Sequence, residues 1–293
     1  MVTTFPYYPA WRKRTDDRLA VFRTETLGGV TVHRVWHYVP ARPTTMRRIL
    51  HEASFVLVSS LRLLPLPRPD VLVVVSPPLA LGVAAWLMSK IKRAPFVFHV
   101  QDLQPDAAAG LGMLKGKWFL RLLYRMESFA YEKAAQVSAI SPAMLGAIQA
   151  KGVRPDKTRL LPNGVEIPEP EDLPAPGQFR GAHGYGPEDF LAVFSGNLGH
   201  KQGLEILVAA ARACAGSPVR IMICGDGAAR QALERQAAEV PRELLRLLLP
   251  QPRDKFLEMM MDADVALITQ QKGSGSAFFP SKLLTVAALG KPV

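Results

Sequence analysis

The sequence predicts an α/β protein of two doubly wound units, and three observations carry that prediction. Short β-branched runs alternate with helical stretches along most of the chain. Those runs are continuously apolar, as strands covered on both faces of a parallel sheet must be. The alternation breaks once, in a Pro- and Gly-rich stretch after residue 160, and then restarts. At 293 residues the chain has room for two such units.

The run 71–75 reads as a strand closed by Ser76-Pro77-Pro78, because proline removes a ladder donor, and a helix is expected over 79–91. A strand at 96–100 leads into a polar loop at 101–112. An amphipathic helix follows over 118–133, then a strand at 136–140. Ser141-Pro142 opens the next helix, the hydroxyl as cap and the proline in the first turn. Residues 161–186 are dense in Pro and Gly with little apolar periodicity, and read as linker or exposed loop. Beyond them come a strand at 191–195, a glycine turn at 196–203, a helix over 204–214, a strand at 219–224, the turn Gly225-Asp226-Gly227 and a helix over 228–240. A helix over 253–261, a strand at 264–269, a Gly/Ser loop at 272–276 and a helix over 280–289 complete the pattern. The expected domains are 1–165 and 189–293, joined by a linker at 166–188. One βα unit is expected to be missing ahead of the first domain, and the second is expected to be incomplete.

Composition narrows the function. Hydrophobic residues make up 48% of the chain, enough for a sizeable core, which excludes wholesale disorder. Two cysteines, Cys214 and Cys224, without a CxxC pair argue against a disulfide scaffold or structural zinc and for a reducing, cytoplasmic setting. Residues 1–10 hold three aromatics and two prolines and do not read as a signal peptide. No uninterrupted apolar run reaches the ~20 residues of a spanning helix. The net charge of +11 is uneven: the first hundred residues hold fourteen Lys and Arg against five Asp and Glu. Such a face suits an anionic partner, whether acidic lipid headgroups, nucleic acid or a phosphorylated substrate. Arg47 and Arg48 lead into the apolar stretch 49–64, which reads either as a helix lying in a membrane interface or as a core helix beneath the first sheet. Nucleic acid is not the expected partner, since no RRM, KH or helix-turn-helix signature accompanies the charge.

Candidate chemistry gathers where strands end. The segment Gly196-Asn197-Leu198-Gly199-His200-Lys201-Gln202-Gly203 joins a strand to a helix, where glycines admit a ligand to the backbone and free N–H groups attract phosphate. Lys201 adds a cation. The spacing is neither a Walker loop nor GxGxxG, so a tight turn explains it about as well. Gly225-Asp226-Gly227 reads first as a tight turn, because Asp226 repels phosphate. Pro280-Ser281-Lys282 after the Gly/Ser loop reads as an anion pocket, with Ser281 and Lys282 where unpaired N–H groups collect. His99 ends an apolar strand and is followed by Asp102, Gln104 and Asp106; an imidazole and carboxylates outside a strand's carboxyl end can position hydroxyls or move protons. The bland alternatives are a core histidine and helix-capping aspartates. No metal site is expected.

Taken together and in order, Phe5-Pro6-Tyr7-Tyr8-Pro9, His37-Tyr38-Val39-Pro40, His99-Val100-Gln101-Asp102, Leu161-Pro162-Asn163-Gly164-Val165, Ser195-Gly196-Asn197-Leu198 with Lys201-Gln202-Gly203-Leu204-Glu205, Gly225-Asp226-Gly227 and Pro280-Ser281-Lys282-Leu283 resemble the family 4 type of GT-B sugar-nucleotide transferases. The likeness is nearest to the bacterial branch that builds colanic-acid-type exopolysaccharides. The resemblance implies two Rossmann-like domains facing a cleft, and sugar transfer with retention and without a metal cofactor. It implies a UDP- or GDP-sugar donor held in the second domain by Gly196, Asn197, Lys201, Gln202, Ser281 and Lys282. It implies a lipid-linked glycan acceptor in the first domain near His99 and Asp102, at the cytoplasmic face of the plasma membrane. The chain departs from the pattern at Ala277 and Thr285, where many members carry glutamates, and at Asn197, where arginine is usual. A sugar-nucleotide epimerase shares the architecture and stays open, as do a basic nucleic-acid-binding protein and an inactive fragment.

Overall fold

The computed structural model describes residues 1–7, 11–41, 44–110, 117–271 and 279–293, in two compact units, Met1–Pro162 and Asn163–Val293. The first unit opens with a three-stranded sheet that the sequence reading did not anticipate. β1 (Val2–Thr4) lies parallel to β3 (Val30–Val35), and β2 (Phe22–Leu27) pairs antiparallel with β3. Leu27 faces Val30 across Gly28-Gly29, both with positive φ (53° and 77°), the backbone that a two-residue hairpin turn requires. Helix α1 (Thr45–Leu63) follows, entered through Thr44, whose side chain accepts from the Arg47 N–H.

The second sheet of this unit is parallel. It runs β4 (Leu72–Ser76), β5 (Phe96–Val100), β6 (Gln136–Ala139) and β7 (Thr158–Leu160), in that spatial order. Helices α2 (Leu81–Lys92), α3 (Gln104–Gly110), α4 (Lys117–Lys133) and α5 (Pro142–Ala150) connect the strands. Phe96, Phe98, Val137, Met144 and Ile148 are buried in the core. At the contact of α2 with α4 a Cβ on Gly82 would lie 2.5 Å from the Ala130 Cβ, so this approach requires a residue without a side chain. Ser141 caps α5 by accepting from the Met144 N–H at 3.2 Å, as its Ser-Pro start predicts. The expected loop at 101–112 is instead helical from Gln104. A proline in the first turn, an acid beside it and three alanines favour helix, and polarity was a poor guide there.

The second unit holds one parallel sheet of order β10-β9-β8-β11, from β8 (Phe190–Ser195), β9 (Val219–Cys224), β10 (Leu245–Leu248) and β11 (Val265–Ala266). The chain steps outward from β8 to β10, then returns to the other side of β8 with β11. That reversal makes the β8/β11 edge the switch point where open α/β sheets take ligands. The strand expected at 264–269 is short, but the Asp264 and Leu267 N–H groups extend its pairing to the Leu191 and Val193 carbonyls. Helices α6 (Gln178–His183), α7 (Glu205–Ala213), α8 (Arg230–Ala237), α9 (Arg253–Asp262) and α10 (Lys282–Ala288) flank it. The linker expected at 166–188 is in part a piece of this unit. Phe179 and Tyr185 are buried in its core, the Asp262 carboxylate accepts from the Gly177 and Arg180 N–H groups, and Arg180 bridges to Asp264. Pro and Gly marked the turns of the segment, and two aromatics were too few to show a period.

Candidate functional site

The site in the second unit is assembled from two glycine turns and one lysine. The first turn leaves the carboxyl end of β8, where the Gly196 N–H donates to the Cys224 carbonyl at 2.9 Å. The second turn, Gly225-Asp226-Gly227, nests directly on it. The Leu198 N–H donates to the Asp226 carbonyl and the Ala229 N–H to the Leu198 carbonyl, both at 2.8 Å. Gly225 has φ +152° and a Cβ there would lie 1.9 Å from the Gly196 carbonyl oxygen, a clash with backbone that no side-chain movement relieves. The expectation of a tight turn with an aspartate in it describes this segment: Asp226 Oδ1 accepts from the Gly227 N–H at 2.8 Å.

Lys282 fills the space in front of Gly196. A Cβ on Gly196 would sit 2.8 Å from Lys282 Nζ, and that ammonium lies 3.6 Å from the centre of the Phe194 ring. Among the described residues it finds no hydrogen-bond partner, although it is buried. Burial, and then the charge of Lys201, lower its pKa to about 8. Lys201 sits in the 3-10 turn His200–Gln202, fixed by a 2.9 Å bond from the Gln271 N–H to its carbonyl. Gln202 Oε1 is a second buried polar atom without a hydrogen-bond partner among the described residues, and a Cβ on Gly199 would lie 2.8 Å from it. Asn197 lies between the turns, its Oδ1 2.6 Å from where a Cβ on Gly227 would sit. The buried ammonium beside a glycine turn, with no hydrogen-bond partner among the described residues, forms a seat suited to an anion, whereas the Gln202 amide oxygen calls for a donor such as a ligand hydroxyl.

The structure thus brings Gly196, Asn197, Lys201, Gln202 and Lys282 into one neighbourhood. Ser281 precedes α10 but its side chain does not cap it, and the Leu283 and Leu284 N–H groups are taken by the Pro280 and Ser281 carbonyls. The expected cluster of open amides there is therefore smaller than the sequence suggested. The Gly/Ser loop at 272–276 and Ala277 lie outside the described residues. Two contributors went unforeseen, the Phe194 ring under the ammonium and the nesting of the two turns. An aromatic just before Ser195-Gly196 was the available signal for the first.

In the first unit, His99 is buried at the end of β5, with both ring nitrogens engaged. Nδ1 lies 2.9 Å from Ser138 Oγ and Nε2 2.7 Å from Gln101 Nε2, so the amide donates to Nε2 and Nδ1–H donates to the serine. Burial lowers the imidazole pKa, keeping it neutral at pH 7. Asp102 follows, half-buried, before α3. Gln104 and Asp106, grouped with them in the sequence, are used elsewhere. Gln104 Oε1 accepts from the Leu79 N–H, and Asp106 pairs with Lys151, which also reaches the buried Glu127 at 2.7 Å. Arg47 and Arg48 stand exposed in the first turn of α1. That helix buries the polar His51 and Ser59, while Met46, Leu50, Leu57, Leu61 and Leu64 remain exposed. It is not simply a core helix. Among the described residues no helix is long and apolar enough to cross a membrane, and no three His, Cys, Asp or Glu side chains are grouped to hold a metal.

Comparison with known proteins agrees with this architecture. Residues 2–164 match the family described as "Glycosyl transferase 4-like domain", and residues 178–293 match "Glycosyl transferases group 1". The chain is 30% identical over 300 residues to the Escherichia coli (strain K12) protein named "Putative colanic acid biosynthesis glycosyl transferase WcaI", covering 99% of this chain and 73% of that protein. It is 27% identical over 208 residues to the Pseudomonas aeruginosa "Probable glycosyltransferase WbjE", covering 68% of this chain and half of that one. Among solved structures, Anabaena HepE in complex with UDP superposes with a TM-score of 0.62 at 19% identity, over 84% of this chain and 64% of HepE. An apo OtsA structure gives 0.64 at 12% identity, over 95% and 81%. The chain spans 64% of the HepE length, and the shared fold is the GT-B type. With both halves matched and a relative aligned across nearly its full length, the chain belongs to the glycosyl transferase family that joins a 4-like domain to a group 1 domain.

Proposed function

We propose that this glycosyltransferase moves a sugar, with retention, from a UDP- or GDP-sugar to a lipid-linked glycan in exopolysaccharide biosynthesis. The observation that carries the donor half of the reading is the buried Lys282 ammonium against Gly196, without a hydrogen-bond partner among the described residues. Breaking a sugar–phosphate bond leaves negative charge on the departing diphosphate, and a cation already held in a dry seat stabilises that charge without reorganising. Lys282 and Lys201 supply the cations; Gly196, Asn197, Gln202 and Ser281 supply polar groups around them. No resident cofactor is needed in this reading. The UDP in the HepE structure and the name of the E. coli relative support donor type and pathway class. His99 and Asp102 contact the transferred sugar or the acceptor, with Gln101 giving way to a substrate hydroxyl at His99 Nε2.

Support for a membrane-bound acceptor comes from α1. Its exposed apolar stripe carries two arginines in the first turn, where the positive end of the helix dipole disfavours them and an anionic surface would relieve the conflict. We place the protein at the inner face of the plasma membrane on that basis. The direct test of the donor site is calorimetric titration with UDP. Wild-type protein is expected to bind it, and Lys282→Ala to bind at least tenfold more weakly. Equal affinity in the two proteins would remove Lys282 from the site.

A further inference from the structure

An open cavity lies wholly within the first unit, built from the segment after β1 and the end of β3. It encloses about 590 Å³, within the ~300–1,000 Å³ usual for small-ligand sites, and its walls include Trp11, Arg12, Lys13, Arg18, Trp36 and His37. Three of these are cations and none is an acid. Asp17 is the acid that Lys13 senses, and it is already paired with Arg23 at 2.7 Å. Lys13 stands 4.8 Å from the centre of the Trp36 ring, so cation and aromatic face are presented together.

The wall is braced from behind. Trp11 holds a left-handed backbone (φ 48°), an uncommon and costly conformation for a bulky aromatic. Its ring packs against Tyr7 and His51, with centroids 5.6 and 5.5 Å away. His51 in turn is tied to the Tyr38 carbonyl at 2.6 Å and the Tyr7 hydroxyl at 3.2 Å. His37 stands among the lining residues but is itself fully buried, its ring close to the Val35 backbone. Burial holds it neutral, lowering its pKa to about 4, with the His51 and Lys13 charges acting the same way and the Val35 backbone opposing. A strained tryptophan in a basic, aromatic pocket is what a ligand site retains and a merely structural corner sheds.

Aromatic faces stack on the C–H faces of sugar rings, and clustered cations take phosphate or carboxylate. We propose that this pocket binds an anionic saccharide, a sugar bearing a phosphate or a carboxylate, with Trp11 and Trp36 on the ring and Arg12, Lys13 and Arg18 on the charge. Its identity as the acceptor end of the transfer reaction rests on the function proposed above; its ligand class does not.

Calorimetry on the whole chain with glucose 1-phosphate, glucuronate, glucose and inorganic phosphate separates the possibilities. An anionic sugar is expected to bind at least tenfold more tightly than glucose or phosphate alone, and whichever of the two wins identifies the anion. The exposed-side double variant Lys13→Gln/Arg18→Gln is expected to lose that binding tenfold or more and to keep its UDP affinity. The proposal is overturned if neither anionic sugar exceeds the neutral one, if the double variant binds as before, or if Lys282→Ala abolishes the binding. Failure of UDP to bind any form would overturn the donor reading and leave this one standing.

Discussion

Lys282 is the residue on which most depends, and its environment makes a double prediction. An ammonium buried with a ring beside it but no hydrogen-bond partner among the described residues destabilises the folded chain, and a shift from 10.5 to about 8 corresponds to roughly 3 kcal/mol at most. The unfolded chain binds the extra proton between pH 8 and 10.5. The penalty is therefore complete below about pH 8 and fades as pH rises toward 10.5. Lys282→Met is expected to raise the unfolding free energy of the ligand-free protein at pH 7 by about 1–3 kcal/mol in urea titrations. The gain should shrink above pH 8, while the affinity of the wild type for UDP falls over the same range as the cation is lost. A variant that is less stable than the wild type at pH 7 would show that the ammonium has a partner in solution. The lysine itself was legible in the sequence beside Pro280 and Ser281. Its burial was not, because the Phe194 ring and the Gly196 turn that enclose it are some ninety residues away along the chain.

Strands and helices were legible to the degree that their signals were local. Val219–Cys224 and Phe96–Val100 were read with their observed limits, since each is a short β-branched or aromatic run with a sharp polar end. The hairpin of β2 and β3 was missed despite a clear local cue, two glycines between β-branched runs, because charged residues interrupt the apolar pattern. β10 was hidden for a different reason: a leucine-rich strand has the composition of a helix, and only its pairing with β9 decides the matter. Two helix glycines differ in the room around them, with opposite consequences for stability. Gly82→Ala would drive a methyl into the Ala130 Cβ and the Phe98 ring, and is expected to cost about 1–3 kcal/mol. Gly146→Ala, within α5 and with nothing inside 4 Å of the new methyl, is expected to add up to about 1 kcal/mol. Thermal melts of the two single variants, moving in opposite directions from the wild type, check both.

At the scale of the entire chain, the distribution of charge and of exposed apolar side chains bears on the proposed membrane surface. The first hundred residues carry nearly all the net positive charge, and α1 among them leaves an apolar stripe uncovered. On the membrane reading proposed above, electrostatic attraction would bring the protein to anionic lipid and the stripe would insert into the boundary of headgroups and acyl chains. Sedimentation with phosphatidylglycerol vesicles is expected to carry down the wild type at low salt and much less of it at 0.5 M salt or with neutral vesicles. Leu57→Glu/Leu61→Glu should remain in the supernatant. Equal sedimentation of that variant would assign the stripe to a protein partner or to a further part of the fold. Composition alone announced the charge; the stripe needed the structure, because a helix of leucines and valines reads equally well as core.

The interlocked bends at Gly196 and Gly225 carry a last implication for anyone wishing to redirect the enzyme. A methyl at Gly225 would strike the Gly196 backbone, and one at Gly196 would strain a positive-φ residue and displace Lys282, so substitution in the cradle disturbs the end of a strand or the lysine itself. Redesign will have to be attempted in parts of the polypeptide that these bends do not touch.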